Sequence, residues 1–422
     1  MESDPLVPVR IDDLTAEGSG VGRLPDGRAV FVPWTAPGDR ARIHVVEERE
    51  RWARGELVSL DEPSASRREP RCPLYGRCGG CQLQHVLYRD QVDWKARRIK
   101  EALRRIGDRE IEESPVEASD REWGYRNRMS FTLKRLRNGR VVAGLHQFDA
   151  PGRVVDLQGE CLLPEEEVLE TWVALRQAWG PGARRLPPGG SLRLTLRNGT
   201  EGVALLVDGG EVGGDAEALV DEVDGLVAIT HRPRNQGWIH LAGLERTADG
   251  SLGEEVEVTT GAFLQVNRSG GDALHRSVLG EIGNPAGMRI VDAYCGVGAY
   301  GRRLARHGAE VVGIELDEGA AREARVGAPE GFQVVQGLVE TQLLGHLPPR
   351  SGLDASVSEA LRDRPTPRIV YVSCDPATLA RDLKRMGPGY AIRRVRGFDL
   401  FPQTPHVETV VTLDALNPST ET

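Results

Sequence analysis

The run MRIVDAYCGVGAYGRRLARHGAEVVGIELD, residues 288–317, constrains the fold more than any other stretch. Ile290 and Val291 open an apolar strand that ends at Asp292-Ala293-Tyr294-Cys295. Gly296, Gly298 and Gly301 then match G-x-G-x-x-G and lead into a helix, and a second apolar strand closes on Glu315. A strand, a glycine turn, a helix and a strand in that order imply a parallel, doubly wound α/β sheet. The glycines let a ligand approach the backbone, and an acid at Glu315 can accept hydrogen bonds from both hydroxyls of a ribose. The pattern points to an adenosine-containing ligand without separating NAD from S-adenosylmethionine. Two features weigh against NAD. The loop leaves little chain for a second nucleotide-binding half, and the sheet carries a cysteine at another strand end, which hydride transfer does not need.

That cysteine lies in RIVYVSCDPATLARDL, residues 368–383. Ile369 to Val372 read as a buried strand, and Pro376 suits the first turn of a helix capped by Ser373 or Asp375. Cys374 then sits at a strand-to-helix corner, near a helix N-terminus that favours thiolate. The other reading is a small buried residue in a turn. Ligands of open α/β sheets bind at the carboxyl ends of the strands, which puts the glycine loop and Cys374 on one edge. A thiolate beside a methyl donor suits methylation of a poor carbon nucleophile such as uracil C5. Addition of sulfur at C6 makes C5 enolate-like, and a base must later remove the C5 proton. The run FDLFPQTPHVETVVTL (398–413) offers His406 and Glu408 at the start of a terminal strand, where alternation predicts that both face one site. The plainer role for Glu408 is a surface carboxylate.

A chain of 422 residues has room for two or three domains. Residues 5–61 read as short strands broken by turns, as in a small OB-like barrel, and 61–70 read as a linker. From about 117 to 260 the pattern is strand-rich, and after 261 it alternates strands with helices. No stretch resembles a signal peptide or a membrane span. The six cysteines are clustered rather than framed for disulfides, which points to metal or catalysis in a reducing cytoplasm. Cys72, Cys78 and Cys81, followed after a long gap by Cys161, supply four thiolates that suit zinc as well as an iron–sulfur cluster. The net charge of −9 argues mildly against nucleic acid. Yet residues 121–140 carry seven Lys/Arg against one Glu, interleaved with Trp123, Tyr125 and Phe131, a pattern that suits unpaired RNA as well as a solvated basic strand. In WKARRIKEALRRIG (94–107), Ile99, Leu103 and Ile106 share a helical face, so packing explains that basic segment as well as RNA does.

Taken together, WGYRNRMSF (123–131), FLQVN (263–267), DAYCGVGAYG (292–301), GIE (313–315), PPRSGLD (348–354), YVSCDPATLARDL (371–383) and FPQTPHVET (401–409) make the chain resemble the RNA uracil-C5 methyltransferases. The likeness is to the type with an N-terminal TRAM barrel and an iron–sulfur cluster that acts on 23S rRNA. The resemblance implies a Rossmann-like class I methyltransferase domain (86–117 and 261–422), a TRAM barrel (1–62) and a central iron–sulfur domain (63–85 and 118–260). It implies Cys374 as nucleophile and Glu408 as base. Gln265, Tyr294 and Glu315, with Gly296 and Gly298, would bind S-adenosylmethionine, and Cys72, Cys78, Cys81 and Cys161 would hold a [4Fe–4S] cluster. A cytoplasmic monomer acting on RNA, away from membranes, is expected.

The chain departs from that pattern in places. Leu347 stands where an Asp or Asn is expected, Gly337 where an acid or amide near the adenine is expected, and Ala299 replaces a polar residue of the glycine loop. Only nine residues, LVETQLLGH, separate Gly337 from Leu347. A crossover to a parallel strand needs about a dozen, so a crossover helix and a full fourth strand do not both fit. A working enzyme with a compressed segment, a non-catalytic RNA-binding paralogue and a deletion-bearing gene are the competing explanations. An NAD-dependent oxidoreductase is the rival of a different class.

Overall fold

The computed structural model describes residues 6–250, 256–259, 265–344 and 353–416. Among the described residues no helix is long and apolar enough to cross a membrane. Strands β1 (Val7–Leu14), β2 (Gly20–Arg23), β3 (Ala29–Val32), β4 (Arg40–Glu48) and β5 (Trp52–Glu62) close into a barrel in the order β1-β2-β3-β5-β4. Alternate residues such as Val9, Ile11, Val30, Val32 and Ile43 fill it, as period-two strands require. A bulge between Ile11 and Asp13 shifts the alternation, and Leu14 is buried against Leu83 and Trp94 outside the barrel. The expected linker is not a free tether. The buried carboxylate of Asp39 accepts from Arg67 at 2.6 Å and from the Ser64 N–H at 2.8 Å, because a buried charge needs such partners.

Helix α1 (Tyr88–Arg105) follows. Ile99 and Leu103 pack on Leu379, Leu383 and Val411 in the C-terminal layer, whereas Ile106 lies past the helix end and is exposed. After β6 (Val116–Glu117) come β7 (Arg128–Arg135), β8 (Val141–His146), β9 (Val154–Asp156), α2 (Glu166–Ala178), β10 (Ser191–Asn198), β11 (Val203–Asp208), α3 (Ala216–Glu222), β12 (Leu226–Arg232) and β13 (Ile239–Gly243). Seven of these strands, β7 to β13, form one sheet ordered β13-β12-β11-β10-β7-β8-β9, antiparallel except for β11–β12.

This sheet corrects the picture of RNA-stacking rings over 121–140. The alternation of β7 sends Met129, Phe131 and Leu133 inward, and Phe131 stacks on Trp172 at 3.9 Å. Tyr125 is also buried. Trp123 is covered by the guanidinium groups of Arg68 and Arg71. Arg135 is spent on the carbonyls of Gly182, Ala183 and Gly189. Arg121, Arg137 and Arg140 stay exposed.

Beyond β14 (Arg246–Asp249) and β15 (Val256–Thr259) the chain alternates: α4 (Arg268–Ile282), β16 (Arg289–Ala293), α5 (Ala299–Arg306), β17 (Glu310–Glu315), α6 (Glu318–Arg325), β18 (Phe332–Gln336), α7 (Val339–Leu344), α8 (Ala355–Asp363), β19 (Arg368–Ser373), α9 (Pro376–Met386), β20 (Tyr390–Phe398) and β21 (Glu408–Ala415). The single doubly wound sheet expected here is two sheets. One is parallel, β16-β17-β18; the other is β19-β21-β20-β6. Among the described residues no strand pairs with the outer edge of β16 or of β19. The two edges belong to one layer all the same. On one face, Ile282 of α4 and Tyr300 of α5 pack with Ile290 of β16 and with Val370 and Val372 of β19. On the other, Leu353 and Leu361 pack with both Ile314 and Ile369. One face of this sheet is open: Val291 of β16 is 50% exposed and its neighbour Val312 of the central strand β17 is 37% exposed, on strands that in a complete parallel sheet are covered on both faces.

Candidate active site

Cys374 and Glu408 are brought together by strand register. β19 and β21 run antiparallel with Ser373 opposite Thr409, so the next residue of each strand, Cys374 and Glu408, meet at the carboxyl end of β19. Glu408 is also opposite Phe398 of β20. Cys374 is exposed, while Glu408 is only 7% exposed. Burial pushes the Glu408 carboxyl up to about 7. The Cys374 thiol is raised above its ordinary value by burial, then by the neighbouring Glu408 charge.

That direction corrects the expectation of a helix-stabilised thiolate. Asp375 caps α9, accepting from the N–H groups of Ala377 and Thr378 and from the Thr378 hydroxyl at 2.8 Å. The helix N-terminus is therefore already occupied by a carboxylate, one residue from the sulfur. His406 is corrected too. The strand begins at Glu408, so alternation does not reach His406, which is exposed while Glu408 is buried. Burial, then Arg98, Lys95 and Arg126, hold the imidazole below its ordinary value.

On the other sheet the glycine loop is shaped from within. Glu315 accepts from the Gly296 N–H at 2.9 Å and, through its other oxygen, from the Asp317 N–H at 2.8 Å. The expected ribose acceptor is thus also the brace of the loop. Tyr294 takes φ 62°, a strained conformation for a non-glycine residue, and its ring is exposed. Gly296, also at positive φ, has nothing within 4 Å of where a Cβ would stand, whereas at Gly298 and Gly301 a Cβ would collide with the Phe332 ring. The motif therefore divides, Gly296 facing open space and the other two making room for Phe332. Asp292 accepts from the Gly301 N–H at 3.0 Å, and burial, with Glu315 adding to it, pushes its carboxyl up to about 6. Gln265 is half-buried ahead of α4, its carbonyl taking the Asn127 side-chain amide at 3.1 Å. Leu347, and the first part of FLQVN (263–264), lie outside the described residues.

The two halves of the site are joined by Tyr300, one turn from the glycine loop. It packs with Val370, Val372 and Val410, and the charges of Asp292 and Glu408 add to the burial that raises its phenol. Cys72, Cys78, Cys81 and Cys161 all line one small cavity with Leu74, Leu145 and Leu163, and all four are free thiols. Burial pushes Cys81 and Cys161 up to about 12. Among the described residues no group of three or more His, Cys, Asp and Glu side chains is placed to hold a metal ion.

Several residues beside the site carried no sequence signal of their own. Glu340 is fully buried, and among the described residues neither of its oxygens is hydrogen-bonded. Lys95 and Asp399 form a buried pair at 2.7 Å. Gln91, Lys95 and Arg98 share a helical spacing that was legible, but the apolar face of α1 masked it.

Comparison with known proteins agrees with this arrangement. The TRAM domain family matches residues 6–58, and the tRNA (Uracil-5-)-methyltransferase family matches residues 339–416. The uncharacterized RNA methyltransferase gll3134 of Gloeobacter violaceus is 36% identical over 447 residues, spanning 97% of this chain and 96% of its own. The uncharacterized RNA methyltransferase tlr0942 of Thermosynechococcus vestitus is 32% identical, spanning 96% and 97%. Both alignments are longer than this chain, so each relative has residues that this chain lacks. Among solved structures, the Pyrococcus abyssi tRNA (uracil-54, C5)-methyltransferase in complex with S-adenosyl-L-homocysteine superposes with a TM-score of 0.73 at 26% identity, over 96% of this chain and 99% of that one.

Proposed function

The chain belongs to the RNA uracil-5 methyltransferase family, and from that premise we propose that it transfers a methyl group from S-adenosylmethionine to uracil C5 of 23S rRNA through Cys374 and Glu408. It is an S-adenosylmethionine-dependent RNA methyltransferase, which sets the nicotinamide alternative aside. The observation that carries the mechanism is the register of β19 and β21, which sets an exposed thiol beside a buried carboxyl of raised pKa.

In the proposed cycle the exposed thiol loses its proton to solvent, and the thiolate Sγ bonds to uracil C6. The electron pair moved onto C5 attacks the sulfonium methyl, releasing S-adenosylhomocysteine. Glu408 then takes the C5 proton, and the C6–S bond breaks to restore the C5–C6 double bond and the free thiolate. A carboxyl with a pKa near 7 is a stronger base than an ordinary glutamate once ionised. Gln265, Tyr294 and Glu315, with Gly296 and Gly298, would bind the methyl donor, and Gly296 is where the backbone leaves room for it.

The four cysteines share one apolar cavity and form an all-sulfur donor set, which would suit a [4Fe–4S] cluster. In that role the cluster would tie 72–81 to Cys161. Iron and sulfide analysis of anaerobically purified protein tests it.

The choice of 23S rRNA rests on the resemblance to enzymes that combine a TRAM barrel with four cysteines. The Pyrococcus abyssi neighbour acts on tRNA, so tRNA is the second arm of the test. Nucleoside mass spectrometry of rRNA and tRNA from strains with and without the gene should show one 5-methyluridine lost from 23S rRNA. Loss from tRNA instead would move the substrate. No loss from either, with RNA still bound by the purified protein, would leave only an RNA-binding scaffold.

A further inference from the structure

Helix α1 sends three polar side chains, at i, i+4 and i+7, onto the segments that carry the reacting groups. Gln91 and Gln403 bond each other: the Gln91 amide donates to the Gln403 side-chain carbonyl at 3.1 Å, and the Gln403 N–H donates back at 3.0 Å. Lys95, fully buried, donates to Asp399 at 2.7 Å and to the Phe401 carbonyl at 3.3 Å. Gln91 also donates to the Leu83 and Val86 carbonyls, but neither Gln91 nor Lys95 bonds the corner that holds Cys374. Arg98 differs. Its Nη1 donates to the Pro405 carbonyl at 2.7 Å, and its Nη2 donates to Asp375 at 3.4 Å. Pro405 lies three residues before Glu408, and Asp375 directly follows Cys374. One guanidinium therefore spans the corner that holds the thiol and the loop that holds the carboxyl.

We propose that Arg98 is a positioning residue that fixes the spacing between Cys374 and Glu408, and so couples thiol addition at C6 to proton removal at C5. The inference rests on the reading that those two residues react. A planar fork suits the task because it directs donors to two acceptors at once, whereas a lysine ammonium is a single point on a flexible stem. Arg98 touches neither reacting atom. In the basic run 94–107 the contacts of Lys95 and Arg98 lie inside the protein, while Arg97, Arg104 and Arg105 stay exposed.

The test is steady-state kinetics of Arg98→Ala with tritium release from RNA carrying 5-³H-uridine. Misplacing reacting groups by about 1 Å costs on the order of 10²-fold in rate, so kcat should fall about 10- to 100-fold while KM for RNA and for S-adenosylmethionine stays within about twofold. Added guanidinium ion should restore part of kcat, and Arg98→Lys should lie between. An unchanged kcat, or a raised KM for RNA with kcat intact, would overturn the proposal; the latter would make Arg98 an RNA contact. If Arg98→Ala does not fold, Asp375→Asn keeps the cap and removes one end of the bridge. It should lower kcat without changing KM, and normal turnover would overturn the proposal. Should the wild type itself methylate without releasing tritium, the Cys374–Glu408 reading falls first. Release by the wild type and by Arg98→Ala at equal rates removes only the role of Arg98.

Discussion

The two sheets of the C-terminal layer differ in how completely they are built. The β19-β21-β20-β6 sheet carries Cys374 and Glu408, is packed by α1 and α9, and is pinned by the buried Lys95–Asp399 pair. The β16-β17-β18 sheet carries the glycine loop, its β16 edge is unpaired among the described residues, and Val291 and Val312 are exposed on one face. Among the described residues no strand joins the two sheets, and the register that pairs thiol and carboxyl is intact. The reacting groups depend on an antiparallel pair within residues 368–415, whereas the donor side depends on the three-stranded parallel sheet.

Substitutions on the two sides should separate these dependences. Cys374→Ala should abolish methyl transfer, about 10⁴-fold or more, with RNA affinity and melting temperature unchanged, as filter binding and calorimetry would report. Glu408→Gln should slow turnover about 10²- to 10⁴-fold and leave a covalent RNA–protein adduct on a denaturing gel.

The same variant tests the carboxyl's titration. The folded value of about 7 lies above the ordinary 4.5, so the uncharged carboxyl favours folding below pH 4.5, and that contribution is lost as pH rises through 7. Glu408→Gln should therefore gain on the wild type by about 2–3 kcal/mol between those pH values, read from denaturant midpoints.

Lys95→Ala leaves Asp399 buried and uncompensated and should cost about 3–5 kcal/mol of stability. Glu315→Gln removes a charged acceptor from the Gly296 N–H, worth about 1.5–3 kcal/mol. It should weaken S-adenosylhomocysteine binding by calorimetry while adduct formation at Cys374 survives. Val291→Thr, on the open edge, should change stability by less than about 0.5 kcal/mol. A larger loss would mean that the edge is covered in solution.

Much of this site was legible in local sequence because its signals are local. β-branched runs, the Asp375-Pro376 cap and the glycine loop each act within a few residues. The break between the two sheets was legible too, since nine residues after Gly337 cannot hold both a crossover helix and a full fourth strand. The environment of Cys374 was not, because the occupied helix cap and the Glu408 charge come from partners that only the fold supplies. Tyr125 and Phe131 misled for a similar reason: seven basic residues around them outweighed an alternation that already pointed inward. Arg98 was hidden because its role depends on Pro405 and Asp375, about three hundred residues away.

The most direct measurement of the central claim is C5 tritium release from 5-³H-uridine RNA, followed together with methyl incorporation. The account expects the wild type to release one tritium per methyl transferred, and Cys374→Ala to do neither. Methyl incorporation with tritium retained, or release undiminished in Cys374→Ala, would contradict it.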